Sequence, residues 1–194
     1  FVTNDYRDIK AISIADYAKL KNTMNYKAAN QVAVVYANGE IVDAEDFENI
    51  EGDRFAKIIS DLRRNDQVKA VVLRVNSPGG SVFASEKIRA ELELLGKEKT
   101  LVASYGDYAA SGGYWISAGC EKIFSNATTL TGSIGVFSMI PDFSKVVRDK
   151  VHVGVTTINS NKHSDMYSLM RPLDAEETAY MQASVEDIYE KFTG

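Results

Sequence analysis

The sequence predicts an α/β domain built on a mainly parallel sheet. Three observations carry this. Short β-branched runs alternate with segments of helical period along most of the chain. One of those runs, "VKAVVLRVN", is almost unbroken in apolar character, as a strand of a parallel sheet should be. The glycine-rich breaks "SPGGS" and "ASGG" fall where strand-like runs give way to helix-like ones, and such sheets build their sites at those junctions.

Residues 1–30 carry charges and tyrosines on a weak pattern and read as a lead-in or linker. Residues 31–194 read as the domain, with a helical pattern still running at its carboxyl end. Its first strand is Val32 to Tyr36, closed by the turn pair Asn38-Gly39. Phe55, Ile58, Ile59 and Leu62 then recur at helical spacing with charges opposite. After "VKAVVLRVN" and "SPGGS", helical period resumes in "VFASEKIRAELELLG", with Gly96 as the stop signal. "KTLVASYG" reads as a strand, "AASGGYWISAG" as a short helix and "EKIFSNATT" as a short strand and turn. "PDFSKVVRDK" is helix-like, and "VGVTTI" is strand-like with His152 entering it at a sheet edge. The last segment opens on a capping box, Asp174 and Glu177, and continues as a long amphipathic helix with Tyr180, Met181, Val185 and Tyr189 on one face.

Bulk properties narrow the function. The chain has 194 residues, 45% hydrophobic and 25% charged, enough for one domain with a real core. Its net charge of −5 gives no electrostatic case for binding nucleic acid. The single cysteine, Cys120, rules out an internal disulfide framework.

The two glycine-rich breaks suggest acyl transfer. That chemistry needs a nucleophile and two hydrogen-bond donors aimed at a developing oxyanion. Ser111, at a strand-to-helix junction, would present its hydroxyl beside the free N–H groups that open a helix. Gly112 follows directly, and the pair Gly79-Gly80 permits the backbone turns that aim a second N–H inward. Either loop alone would be read as a turn or an N-cap; two such loops in order make the stronger case. The base is harder to place. His163 sits in the polar loop "NSNKHSDMYS" and reads as solvated, while Lys162 has a wet setting that would keep its amine protonated. Val82, Phe83, Tyr114 and Trp115 suggest apolar subsites, with core packing the plainer reading for Trp115 and an alternative for Val82.

Three motifs in order, "VVLRVNSPGGSVFASEKIRAEL", "YAASGGYWIS" and "TLTGSIGVF", resemble the signal peptide peptidase A (protease IV) family of the ClpP/crotonase superfamily. The resemblance runs from about Val32 to the end. It implies a spiral of ββα units with a mainly parallel sheet, no cofactor or metal, and a serine–lysine dyad that cleaves signal-peptide remnants and similar apolar peptides. It assigns Ser111 as nucleophile, Gly112 and the Gly79-Gly80 pair as the oxyanion hole, and Ser133 as a hydrogen-bond partner of the lysine. In the short form of the family, that lysine lies in a segment like "SGxHKD"; here "SNKHSD" puts Ser164 at its position, with Lys162 displaced by two residues. The chain resembles the carboxy-terminal half of the long, tandem form, whose upstream half carries the lysine. By itself it is then expected to be an inactive peptidase. The resemblance further implies a homo-oligomer, and a membrane anchor outside this sequence that holds the domain on the periplasmic side of a bacterial cytoplasmic membrane. Two other readings compete: a non-catalytic scaffold half of an oligomeric peptidase, and a crotonase-like acyl-CoA enzyme with the same oxyanion hole.

Overall fold

The computed structural model describes residues 28–194. The expected lead-in lies outside the described residues, apart from Ala28, Ala29 and Asn30. The main sheet has five strands, all parallel: β1 (Gln31–Asn38), β4 (Val68–Ser77), β5 (Thr100–Ala110) and β6 (Lys122–Phe124) in that spatial order, with β7 (Leu130–Gly132) also paired to β5. A small parallel pair, β2 (Ile41–Val42) and β3 (Ile50–Glu51), leads into helix α1 (Gly52–Arg64). Helix α2 (Val82–Glu98) joins β4 to β5, and α3 (Gly112–Ala118) leaves the end of β5. Helices α4 (Ser144–Asp149) and α5 (Ala175–Thr193) complete the chain. This is the α/β class with a mainly parallel sheet that the alternating pattern predicts.

Why these residues fold this way is visible in the core. Strand side chains alternate across the sheet, so Val71, Leu73 and Val75 of β4 point to one face with Val35, Ala37, Leu101, Ala103 and Tyr105. Helices α1 and α2 cover that face with Phe55, Ile59, Ile88, Leu92 and Leu95. Each fully buried aliphatic side chain of this kind contributes about 1.5–3 kcal/mol through lost apolar surface. Gly52 and Ala84 bring the two helices close: a Cβ on Gly52 would sit 2.9 Å from the Ala84 Cβ. The opposite face stays more open, with Val32, Val34 and Tyr36 each about half exposed or more. The apolar β4 run is therefore fully buried only at alternate positions.

Caps set the helix ends. Glu51 accepts the Asp53 and Arg54 N–H groups at the start of α1, and Ser81 accepts the Ala84 N–H at the start of α2. The predicted stop at Gly96 is displaced, since α2 continues to Glu98 and the Lys99 N–H closes it on the Leu95 carbonyl at 2.8 Å. A mid-helix glycine costs only about 1 kcal/mol, and the burial of Leu92 and Leu95 in the turn before it outweighs that.

At α5 the predicted capping box forms in full. The Glu177 N–H donates to Asp174 Oδ1 at 2.8 Å and the Asp174 N–H to Glu177 Oε2 at 2.9 Å. The inward line of α5 runs through Glu177, Met181, Val185, Ile188 and Phe192, leaving Tyr180 and Tyr189 on the exposed side. Phe192 stacks on Trp115 with ring centroids 4.8 Å apart, which ties the carboxyl end of the chain to α3. The strand expected over "VGVTTI" does not form. Val153, Val155 and Ile158 are exposed, and His152 adopts a positive φ of 57° instead of entering a strand. Alternating apolar residues make a strand only where a sheet edge pairs with them.

Candidate active site

Because β4 and β5 run parallel, the loops that leave them emerge at the same edge of the sheet. The first loop, Pro78-Gly79-Gly80, turns through positive φ at Gly79 (100°) and Gly80 (150°). It is strapped to β2: the Ile41 N–H donates to the Gly79 carbonyl at 2.9 Å, and the Ser81 N–H donates to the Ile41 carbonyl at 2.8 Å. A Cβ on Gly80 would fall 2.1 Å from the Ile41 carbonyl oxygen, so a side chain is excluded there. The Gly79 N–H donates to the buried Ser77 Oγ at 3.1 Å.

The second loop is a single residue. Ser111 stands between β5 and α3 with φ 52° and ψ −123°, a region that favours glycine. It occupies the N-cap position, yet its side chain makes no cap hydrogen bond. The N-cap reading of this serine is thereby set aside. Its backbone is fixed on both sides: its N–H donates to the Gly132 carbonyl at 2.9 Å, and its carbonyl accepts from the Trp115 N–H at 2.9 Å.

The two loops touch. A Cβ on Gly79 would lie 2.7 Å from the Gly112 nitrogen, 2.8 Å from Ser111 Cβ and 2.9 Å from the Ala110 carbonyl oxygen. One on Gly112 would meet Ser85 Oγ at 2.5 Å and Ile41 Cδ1 at 3.2 Å. One on Gly113 would meet the Ser77 carbonyl oxygen at 2.6 Å. The backbones therefore approach more closely than side chains allow. Among the described residues, the N–H groups of Gly80 and Gly112 have no recorded protein acceptor. Ser111, Gly79, Gly80 and Gly112 are thus brought together as their order in the sequence suggests. Ser133 is one residue beyond the Gly132 carbonyl that holds Ser111; it is exposed and also has a positive φ, 51°.

A buried polar layer supports the opening of α3. Tyr105 Oη and Ser117 Oγ lie 2.8 Å apart, and Ser117 Oγ is also within hydrogen-bond reach of the Gly113 and Tyr114 carbonyls. Ser77, Ser85, Ser117 and Ile41 all brace the site without standing out in the sequence. Serine is common in strands and helices alike, and only the fold shows which carbonyl or N–H each of these meets. Of the four suggested apolar subsite residues, Trp115 is core, Tyr114 and Val82 are half-buried and Phe83 is exposed. Cys120, half-buried beside the core, has its thiol pushed up to about 12 by burial, which keeps it protonated and inert.

The polar loop after residue 158 is organised against α5. Lys162 pairs with Glu176, and that carboxylate raises the lysine's pKa, the wrong direction for a base. Ser164 is exposed, its hydroxyl donating to the Asn161 carbonyl at 3.2 Å. His163 is half-buried, not simply solvated, with Nδ1 3.1 Å from Glu177 Oε1. Arg171 binds Asp165 (2.7 and 2.9 Å) and Glu177 (2.6 and 2.7 Å) in forked pairs, and its guanidinium holds both carboxylates below their ordinary range. A cavity of about 300 Å³ opens here, lined by His163, Met166, Glu176, Glu177 and Tyr180. It shares no lining residue with the Ser111 loops. His163, Asp174 and Glu177 stand close enough to chelate a cation, but Arg171 already takes both Glu177 oxygens, so the donor set does not fit a metal.

The chain is similar to known proteins over most of its length. Protease 4 of Haemophilus influenzae is 44% identical over 172 residues, covering 87% of this chain and 27% of that protein. Protease 4 of Salmonella typhi is 43% identical over 193 residues, covering 97% of this chain and 30% of that protein. The chain thus spans less than a third of the length of these curated relatives. A solved variant of a membrane-bound stomatin-specific protease, in complex with a substrate peptide, is similar with a TM-score of 0.46 and 22% identity, over 59% of this chain and 49% of that one. Residues 93–194 match peptidase family S49, and the chain belongs to that family.

Proposed function

We propose that this chain supplies the nucleophile and the oxyanion hole of a serine peptidase. The observation that carries the reading is Ser111 itself: a serine in a glycine-favouring conformation, its hydroxyl unused as a cap, pressed against Gly79 and Gly112. The name of the Protease 4 relatives agrees with it.

In this mechanism Ser111 Oγ attacks the carbonyl carbon of a peptide bond while its proton passes to a base. The carbonyl π electrons move onto oxygen, and the oxyanion accepts hydrogen bonds from the Gly112 N–H and from the Gly79-Gly80 loop. Gly80 is the better donor of that pair, because the Gly79 N–H is taken by Ser77. Gly79 supplies the turn. Collapse of the tetrahedral intermediate expels the amine, which takes the proton, and leaves an acyl-serine that water hydrolyses through the same oxyanion hole.

The base is a lysine from a segment outside this chain, with Ser133 beside it. Lys162 is a poor candidate, since its ammonium is exposed and paired with Glu176. The substrates are apolar peptides of the signal-peptide-remnant class, the assembly is a homo-oligomer, and the membrane anchor lies elsewhere in the protein. Among the described residues no helix is long and apolar enough to cross a membrane.

The test is Ser111→Ala in the complete protein, assayed by peptide cleavage and by labelling with a fluorophosphonate. Loss of the nucleophile should lower kcat on the order of 10⁴-fold or more and abolish labelling, while Lys162→Ala should leave both intact. Wild-type turnover in Ser111→Ala would sink the assignment.

A further inference from the structure

The registers of β4 and β5 differ on either side of Asn76. Val75 pairs with Tyr105, but Ser77 pairs with Ala109, so Asn76 alone stands opposite Gly106, Asp107 and Tyr108. The bulge withdraws backbone N–H groups from the ladder, and they need another acceptor. Asn76 provides it: its Oδ1 accepts the Asp107 N–H at 3.0 Å and the Tyr108 N–H at 3.1 Å. Gly106 leaves room for this side chain, since a Cβ there would fall 2.9 Å from Asn76 Oδ1 and 3.1 Å from Asn76 Cβ. Thr129 Oγ1 donates to the Gly106 carbonyl at 2.8 Å, which fixes the bulge from the other side.

The bulge matters because of where it lies. In an uninterrupted register Ser77 would pair with Asp107, two residues earlier in β5 than its actual partner Ala109. Ser111 would then stand two residues farther beyond the Gly79-Gly80 loop, roughly 6–7 Å at the rise of a strand. The bulge absorbs those two residues and brings Ser111 level with Gly79. We infer that Asn76 is a positioning residue for the reaction: its side-chain oxygen holds the bulge that sets the Ser111 hydroxyl against the oxyanion loop. This rests on Ser111 being the nucleophile, as proposed above.

The experiment compares Asn76→Ala, Asn76→Asp and Ser111→Ala in the complete protein. Active sites are titrated with a fluorophosphonate so that kcat refers to folded, competent enzyme. A displacement of about 1 Å at a reacting group costs on the order of 10²-fold. Asn76→Ala should therefore lower kcat about 10- to 10³-fold with KM changed by less than about threefold. Asn76→Asp keeps an acceptor for both N–H groups and should stay within a few-fold of wild type. A residue that only stabilised the fold would reduce the titratable fraction and leave kcat per site unchanged. If Asn76→Ala does not fold, Asn76→Ser, whose shorter side chain cannot span both N–H groups, replaces it with the same expectation. With Ser111→Ala inactive, an unchanged kcat in the alanine or serine variant, or an aspartate variant as impaired as they are, overturns the inference alone. Activity retained in Ser111→Ala removes the nucleophile assignment, and this inference with it.

Discussion

Replacing Ser111 by glycine should make the protein more stable and inactive at once. The backbone at this position has φ 52° and ψ −123°, where a side chain is strained and glycine is not. Holding a non-glycine residue in so sparsely populated a region costs about 1–3 kcal/mol. The hydroxyl returns none of that through capping, since it makes no cap hydrogen bond. The usual loss of about 0.5–2 kcal/mol for removing an N-cap serine therefore does not apply. Against the relief stands the greater freedom of glycine in the unfolded chain, roughly 0.5–1 kcal/mol. The difference leaves Ser111→Gly more stable than Ser111→Ala by about 0.5–2 kcal/mol, because alanine keeps the strain and glycine releases it.

Urea unfolding of the two variants side by side measures this directly. Both lack the hydroxyl and both should fail to cleave peptide, so the comparison isolates the backbone. A unit of this size gains roughly 2–4 °C in Tm per kcal/mol, which gives a second readout. A glycine variant no more stable than the alanine variant would refute the reasoning, because residue 111 would then not be strained in the folded protein.

Gly79→Ala adds a methyl group less than 3 Å from the Gly112 nitrogen, Ser111 Cβ and the Ala110 carbonyl oxygen, at a φ of 100°. By pushing the Gly112 N–H and Ser111 out of place it should lower kcat about 10²- to 10³-fold, the scale on which a misplaced oxyanion donor acts, while Gly119→Ala, with nothing within 4 Å, serves as the control and should leave the rate unchanged. Glu177 and Asp165 have carboxyl pKa values depressed by Arg171, so their contribution to stability is complete above the unfolded carboxylate range and is lost as pH falls through and below about 4. Arg171→Met should therefore lower Tm at neutral pH and flatten its dependence on pH in the acid range; an acid profile identical to wild type would contradict this.

Some of this was legible in the sequence because it is local. The capping box at Asp174 and Glu177 is a four-residue signal, and it forms as read. The β4 run, the breaks at Gly79-Gly80 and Ser111-Gly112, and the parallel sheet follow from periodicity and turn chemistry alone. Other features were illegible because they depend on partners far along the chain. "VGVTTI" has strand composition but no paired edge among the described residues, and Gly96 is a stop signal overruled by the packing of Leu92 and Leu95. Asn76 shows the same limit inside the site. As the last letter of "VKAVVLRVN" it reads only as the end of a strand, and its use appears only when β4 and β5 are laid in register.

The cost of the site is concentrated where folding alone would have avoided it. Among the described residues, positive φ at a non-glycine position occurs at Ser111, Ser133 and His152. Ser111 and Ser133 are linked through one peptide, the Gly132 carbonyl that accepts the Ser111 N–H. Gly79, Gly80 and Gly132 take positive φ at the same edge of the sheet, and there glycine meets the demand without strain. A chain selected only for stability would have placed glycine at 111 as well. The serine gains nothing as a cap, and its backbone needs a bulge, a strapped loop and a neighbouring carbonyl to stay where it is. Strain held in place by so many fixed neighbours argues for chemistry at the hydroxyl. Ser133 lacks that surrounding framework, since it is exposed and its side chain has no recorded hydrogen bond among the described residues. Under the proposed function, Ser133 is the residue whose hydroxyl would accept a hydrogen bond from the ammonium of the dyad lysine, and Ser133→Ala should then lower kcat without abolishing fluorophosphonate labelling.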